Sequence, residues 1–140
     1  MTRFQALQAD RDEGGAFRQQ IVSRELDSLP AGDVLVRVRY SSLNFKDALS
    51  ATGNPAVTRS YPHTPGIDAV GEVEACAAGD FAVGDPVIVT GYDLGMNTSG
   101  GFGQYIRVPS GWPVPLPSGL SPREAMLLGT APSPVRGIRT

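Results

Sequence analysis

Glycine and proline occur along the whole chain and divide it into short segments. The 140 residues include 17 glycines and 12 prolines, which stand at separate turns and form no low-complexity run. Proline lacks a backbone donor and breaks regular helices, while glycine adopts turn conformations at little steric cost. This spacing predicts a mainly β domain, in which many short strands are joined by short connections.

The clearest strand covers residues 34–40, where apolar and charged side chains alternate. Alternation with a period of two places Val34, Val36, Val38 and Tyr40 on one face. Two glycines inside another apolar run, at 66–75, indicate a bulge, a sharp bend or the close approach of a second backbone. Further extended segments are predicted at 4–9, 20–26, 87–90, 104–108 and 112–117. The first two of these form a hairpin.

Two short helices are predicted by their capping residues. Asn44 is suited to cap a helix over 45–51, which a glycine ends two positions later. Ser121, Pro122 and Glu124 have the pattern of an N-cap, a first helical position and a capping-box acid. With six to eight short strands, these helices predict a barrel-like β domain.

Charge and composition exclude several function classes. The net charge is −2 and no basic stripe exists, so we expect no nucleic-acid partner. Cys76 is the only cysteine, and together with the single His63 it cannot supply the ligands of a structural zinc. No apolar run approaches the ~20 residues of a membrane span, and the first fifteen residues lack the apolar core of a signal peptide. We therefore expect a cytoplasmic protein without membrane contact.

Five segments in this order resemble one known family. They resemble the N-terminal, GroES-like domain of the medium-chain dehydrogenase/reductase superfamily, in the zinc-independent quinone oxidoreductase subgroup that includes acryloyl-CoA reductase. The resemblance covers nearly all of residues 1–131 and implies a partly open β-barrel. The segments are SSLNFKDAL (41–49), PGIDAVGEV (65–73), GDPVIVTG (84–91), GGFGQYIRV (100–108) and LSPREAMLLGTA (120–131).

The resemblance also implies a set of site residues. Zinc alcohol dehydrogenases of this superfamily place a cysteine ligand at the position of Asn44 and a histidine ligand at that of Ile67, so the resemblance implies an enzyme without a metal. In the zinc-free members the asparagine lies beside the nicotinamide and the substrate, which implies both roles for Asn44. Asp47 would line the cleft at the start of the helix, and Thr130 would lie near the nicotinamide.

Relatives of this kind pass a hydride from NADPH to a quinone or to the β-carbon of an activated alkene such as an acyl-CoA. The protein must then stabilise the enolate oxygen that forms, a task for amide and cationic donors. Asn44 and Lys46, the only lysine, are the candidates for it. Many relatives carry tyrosine at Phe45, so the hydroxyl that a proton donor there would need is missing. The family is often homodimeric.

Beyond residue 131 the resemblance stops. Relatives continue with a long helix and a Rossmann domain, whereas residues 132–140 carry two prolines two positions apart and no periodicity. We expect a disordered tail there. Our hypothesis is a truncated or frameshifted reductase that binds NADPH weakly and is inactive alone. The alternative is a non-enzymatic β module that persists as an interaction protein.

Each candidate residue also has a simpler structural interpretation. In this interpretation Asn44 simply caps a helix and Lys46 is a solvated side chain. Asp47 is then a surface acid paired with Lys46 or Arg59. The remaining candidates share a structural or solvent-exposed interpretation. They are His63 as a structural or solvated residue, Cys76 as a small buried or edge residue, Tyr92 and Asn97 as exposed loop residues, and Trp112 as a packing residue.

Overall fold

The computed structural model describes residues 2–128, which form a mainly β domain as predicted. Thr130, the predicted boundary at 131 and the predicted tail at 132–140 lie outside the described residues. The strands are β1 (Arg3–Arg11), β2 (Phe17–Glu25), β3 (Val34–Ser41), β4 (Asp68–Cys76), β5 (Pro86–Thr90), β6 (Tyr105–Val108) and β7 (Val114–Pro115). The helices are α1 (Phe45–Ala51) and α2 (Pro122–Leu128), and a 3-10 turn covers Leu26–Ser28.

The strands form two sheets that do not merge into one closed barrel. β1 and β2 form the predicted hairpin, and the five-stranded sheet has the order β6–β3–β4–β5–β7 with antiparallel neighbours throughout. Backbone hydrogen bonds join β1 to the segment directly before β6, such as the bond from Leu7 N to Phe102 O at 2.8 Å. β2 starts three residues before its predicted first residue, because a tight turn closed by Asp12 and Ala16 lengthens both strands.

The predicted common face of β3 is wrong at its end. Val34 and Val36 are buried and Val38 packs partly against the core, but Tyr40 is 47% exposed. The pairing of β3 with β4 shifts register between Leu35 and Val36 and again between Val38 and Tyr40. Each shift inserts an unpaired residue, and a bulge of this kind reorients the side chains that follow it.

Two of the three apolar clusters in residues 2–128 contain side chains of β4. The main cluster fills the space enclosed by the five-stranded sheet. It consists of Val34, Val36, Ala69, Val73, Val87, Val89, Leu94, Ile106 and Val108. A second cluster on the other side of β4 packs Val70 against Ala125 and Met126 of α2. The predicted capping box begins this helix, since Ser121 N donates to Glu124 Oε1 at 2.9 Å and Glu124 N donates to Ser121 Oγ at 3.1 Å.

Gly71 is one of the two glycines predicted to mark a bend, a bulge or a close backbone approach, and the structure shows a close backbone approach there. A Cβ atom at Gly71 would lie 1.9 Å from the carbonyl oxygen of Arg37 in β3. Only a residue without a side chain allows the two backbones to pair this closely. No helix within residues 2–128 has the length and apolar character needed to cross a bilayer.

Candidate functional site

The connection from β3 to α1 meets the start of β4 in a partly buried polar cluster. We call Ser42, Asn44, Asp47 and Asp68 the Asn44 cluster. Ser42 Oγ donates to Asp68 Oδ2 at 2.9 Å. The backbone of this connection is held to the same strand, because Ser41 Oγ donates to the carbonyl oxygen of Asp68 at 2.6 Å. The cluster is therefore fixed to the sheet that contains the main core.

Asn44 caps α1 as predicted and directs its amide group into the cluster. Its backbone N–H donates to Asp47 Oδ2 at 2.9 Å, which is one half of a capping box. Its side-chain nitrogen lies 3.1 Å from Ser42 Oγ, 3.1 Å from Asp68 Oδ2 and 3.5 Å from Asp47 Oδ2. A carboxamide nitrogen has two hydrogens. Asn44 would have to give up one of these bonds to donate to a ligand oxygen.

Asp47 is a buried carboxylate, so the interpretation of this residue as a surface acid paired with Lys46 or Arg59 is wrong. It is 2% exposed, and its Oδ1 accepts from Ile67 N at 2.9 Å while its Oδ2 accepts from Asn44 N. Burial raises the pKa of Asp47 and the negative charge of Asp68 adds to this, while the bonds from Asn44 and Ile67 lower it. Asp47 therefore joins the α1 N-terminus to the segment before β4.

Asp68 and Ser42 were missed by sequence reasoning. Asp68 has no exposed surface, and its Oδ2 accepts from both Ser42 and Asn44. Buried carboxylates are rare unless they have partners, so an acid followed directly by the apolar residues Ala69 and Val70 was the available signal. That signal lies in the PGIDAVGEV segment, directly after Ile67.

Lys46 lies outside the cluster on the exposed side of α1. Its side chain forms no hydrogen bond or salt bridge with residues 2–128, which agrees with its solvated interpretation. Two large apolar side chains flank Asn44 in the sequence and are also exposed, Leu43 at 87% and Phe45 at 78%. We call these two residues the apolar rim. Exposed apolar side chains next to a polar cluster are typical of a contact surface.

His63 has a structural role in the described part of the chain. Its ring is buried, and Nε2 lies 2.8 Å from the carbonyl oxygen of Gly95. Burial is the main cause that lowers the pKa of His63, and the nearby positive charge of Arg24 lowers it further. The backbone of His63 pairs with Ala9 in β1, so this residue joins the hairpin to the loop after β5.

Apart from Cys76 at the end of β4, the remaining candidates lie in or beside the loop after β5. Trp112 packs against the main core as predicted, and its ring stacks on that of Tyr92 with centroids 5.4 Å apart and planes 6° apart. Tyr92 is 63% exposed and has a left-handed backbone with φ of 55°. Asn97 is exposed, and its side-chain oxygen accepts from Arg59 N at 3.0 Å. Cys76 packs partly against the main core.

The residues at the Asn44 cluster do not form a metal site of the usual kind. Within residues 2–128 no three histidine, cysteine or acidic side chains gather in one place. Ile67, which is 6% exposed, contributes an aliphatic side chain and a backbone N–H that is already bonded to Asp47. The carboxylates of Asp47 and Asp68 accept from N–H and O–H groups, which is how buried acids are stabilised without a cation.

Comparison with known proteins matches the sequence and fold of this chain to oxidoreductases. Residues 30–118 match the model of the alcohol dehydrogenase GroES-like domain. The chain is 43% identical over 129 residues to the acrylyl-CoA reductase AcuI of Ruegeria pomeroyi, covering 91% of this chain and 39% of that protein. It therefore spans about two fifths of the length of this curated relative.

Two solved structures with bound nucleotide have the same fold. The yhdH oxidoreductase of Salmonella enterica, in complex with NADP, is 44% identical with a TM-score of 0.86, and the match covers 91% of this chain and 39% of that one. The yhfP protein of Bacillus subtilis, with NAD bound, is 42% identical with a TM-score of 0.88, and the match covers 94% of this chain and 40% of that one.

Proposed function

Because this chain belongs to the alcohol dehydrogenase GroES-like domain family, in the quinone oxidoreductase and acrylyl-CoA reductase subgroup, we propose that it forms the substrate side of a zinc-independent, NADPH-dependent reductase. The acceptor is a quinone or the activated alkene of an acyl-CoA. We further propose that turnover requires a nucleotide-binding domain, so the 140-residue chain alone is inactive.

The observation that carries this proposal is the Asn44 cluster itself. Asn44 occupies one position of a zinc ligand in the metal-dependent relatives, and here its amide is bonded to Ser42 and Asp68. Ile67 occupies the other position and has no side-chain ligand atom. A partly buried polar cluster whose groups are bonded to one another supports hydride transfer without a Lewis acid at this point.

Asn44 and the apolar rim are suited to contact one face of a nicotinamide ring. Such a ring needs an apolar surface and nearby polar groups that orient its carboxamide. The apolar rim of Leu43 and Phe45 supplies exposed apolar area directly beside Asn44. When bound, NADPH supplies the hydride, and a neighbouring domain would hold the rest of the nucleotide. Thr130 lies outside the described residues, and we propose from the family resemblance that it contributes to nicotinamide binding.

Each residue then has a separate task in the proposed reaction. The apolar rim excludes water from the acceptor. Lys46, whose ammonium has no partner within residues 2–128, stabilises the negative oxygen that develops on the quinone or thioester. Asp47 is a positioning residue, because both of its oxygens hold backbone N–H groups and its side chain is 2% exposed. Asn44 is positioned by its backbone bond to Asp47, and its amide gives up the bond to Ser42 or Asp68 when it donates to the ligand.

A chimera tests the proposal. The matching N-terminal part of the Salmonella yhdH oxidoreductase is replaced by this chain, and NADPH oxidation is followed with acrylyl-CoA and with a quinone. We expect turnover by the chimera and none by the 140-residue chain. Lys46→Met should lower kcat by roughly a hundredfold while NADPH affinity is unchanged. Arg18→Gln, at an exposed arginine on the hairpin, is the matched control and should behave as the parent.

Two results would contradict the proposal. The first is a chimera that is folded and binds NADPH but reduces neither acceptor. The second is an isolated chain that oxidises NADPH, which would refute the proposed dependence on a second domain. A monomeric chain on size-exclusion chromatography, combined with an inactive chimera, would favour the alternative of a non-enzymatic module.

A further inference from the structure

A polar groove, separate from the Asn44 cluster, lies on the outer side of the five-stranded sheet. It is formed where β3, β6 and the start of β1 meet. Its volume is about 330 Å³, and it is lined by three arginines from two different strands, Arg3, Arg37 and Arg39. Gln104 and Tyr105 form its wall on the β6 side. No aspartate or glutamate within residues 2–128 lines this groove. The groove is therefore basic in a chain whose net charge is −2.

Arg37 is the cation of this groove that has no direct ion pair, although Glu72, its cross-strand neighbour, lies on the same face and is bonded to Arg39. Its guanidinium forms no hydrogen bond or salt bridge with the part of the chain that the structure describes, and the residue is exposed. It pairs through its backbone with Tyr105 of β6 and Glu72 of β4, so the position of its Cα atom is fixed by the sheet. The Arg37 guanidinium therefore has five N–H donors without an acceptor among residues 2–128, on a backbone that the sheet holds in place.

Gln104 adds donors with a defined orientation. Its Oε1 accepts from Gln5 N at 2.8 Å, and its backbone carbonyl accepts from Val38 N at 2.8 Å. Because the amide oxygen is held by β1, the NH₂ group is the end of this side chain that remains for a ligand. The side chain thus offers two donors to the groove.

The other two arginines are only partly compensated. Arg39 Nε donates to Glu72 Oε1 at 2.7 Å, and its two terminal nitrogens have no partner within residues 2–128. Arg3 is bonded to Glu25 and Ser23. These bonds hold the two guanidinium groups in place. The free groups around the groove are then almost all donors, which is the pattern that recognises an anion with several oxygens.

We propose that this groove binds a phosphate or pyrophosphate group. The planar guanidinium of Arg37 and the NH₂ of Gln104 would each donate to phosphate oxygens, and the terminal nitrogens of Arg39 would add a third contact. The ring of Tyr105 at the groove wall suits an organic portion attached to the phosphate. This inference goes beyond the proposed reductase activity and does not depend on it.

Isothermal titration calorimetry on the 140-residue chain tests the inference. Inorganic pyrophosphate, inorganic phosphate and adenosine diphosphate serve as three separate probes at low ionic strength. We expect saturable binding of pyrophosphate that weakens as salt is added, since the groove is open to solvent. Tighter binding of adenosine diphosphate would assign the site to a nucleotide-like ligand, and equal or tighter binding of pyrophosphate would assign it to the inorganic anion.

Two variants and one control make the result decisive. Arg37→Gln should raise the Kd for pyrophosphate at least about tenfold, and Gln104→Glu should do the same by adding a negative charge. Glutamate keeps an oxygen that can accept from Gln5 N, so the fold is preserved. Arg18→Gln removes an arginine outside the groove and should leave the Kd unchanged. Absence of saturable binding, or equal loss in the Arg37 and Arg18 variants with unchanged thermal stability, would overturn the inference.

Discussion

The side-chain nitrogen of Asn44 lies 3.1 Å from one oxygen of Asp68 and 3.5 Å from one oxygen of Asp47. One amide group thus faces two buried carboxylates. Both acids are almost completely removed from solvent, and the charge of Asp68 helps to raise the pKa of Asp47. The N–H groups of Asn44 offset part of this repulsion, because hydrogen bonds to the charged form stabilise it.

Replacing this amide by a carboxylate should destabilise the protein. Asn44→Asp keeps a good N-cap residue, so α1 itself is not weakened. It places a third acid beside Asp47 and Asp68, and we expect a loss on the order of 3 kcal/mol in unfolding free energy at neutral pH. Urea unfolding measures this loss, which should shrink at acid pH. Asn97→Asp is the control, because Asn97 also lies 3.5 Å from an acid, Asp93, but at an exposed loop position where solvent screens the repulsion. Similar effects of both changes would argue against the cluster.

We expect a second pH dependence of the unfolding free energy, which arises from His63, the single histidine. Burial lowers the pKa of His63 below its ordinary value of 6.5, so the folded protein binds this proton less tightly than the unfolded chain. The contribution of His63 to the free energy of unfolding is fully present above pH 6.5. It decreases as the pH falls toward the lowered pKa, with a slope of at most about 1.4 kcal/mol per pH unit.

His63→Gln should remove this slope while an amide remains near Gly95. Urea unfolding over a pH series compares the two proteins, and a proton NMR titration follows the histidine ring directly, since it is the only one. A midpoint at or above 6.5 for the wild type would contradict the structural role of His63.

The backbone contact at Gly71 predicts a large effect of one methyl group. Gly71→Ala would bring Cβ to 1.9 Å from the carbonyl oxygen of Arg37, so β3 and β4 would have to separate. We expect a loss of about 3 kcal/mol or more, measured by thermal and urea unfolding. Gly111→Ala is the matched control, because open space surrounds that position. It should change stability by less than about 1 kcal/mol.

At Tyr92, two substitutions can distinguish the energy of the ring contact with Trp112 from the cost of the left-handed backbone. Tyr92→Ala loses the ring contact and keeps a left-handed residue with a Cβ atom, whereas Tyr92→Gly loses the contact and relieves the backbone. We therefore expect the glycine variant to be more stable than the alanine variant by about 1 kcal/mol. The emission of Trp112, the only tryptophan, should shift to the red in both variants. Equal stabilities would show that the φ of 55° carries no cost.

Local signals were sufficient for the helices and for part of the site. The bounds of α1 and the capping box of α2 follow from residues within a few positions of each other, and both were predicted. Tyr40 was placed on the wrong face because the bulge depends on the pairing of β3 with a strand about thirty residues later. The local pattern carries no information about that register.

The same distinction applies to the Asn44 cluster. Asn44 and Asp47 were found because one short segment contains them, whereas the partnership with Asp68 arises only when β4 packs beside β3. Burial of Asp47 also follows from this packing and from the bond to Ile67 N, so its surface interpretation failed. Residue type and spacing indicate which groups are present, and the sheet determines which of them meet.

The strand order of the five-stranded sheet has a consequence for synthesis of the chain. β3 pairs on one side with β4 and on the other with β6, whose residues Tyr105–Val108 leave the ribosome much later. Until then the nascent polypeptide has an unpaired valine-rich edge, the kind of segment that associates with other chains. Because such distant pairing is slow, protection by a chaperone would matter most during this interval, before β6 arrives and covers the edge.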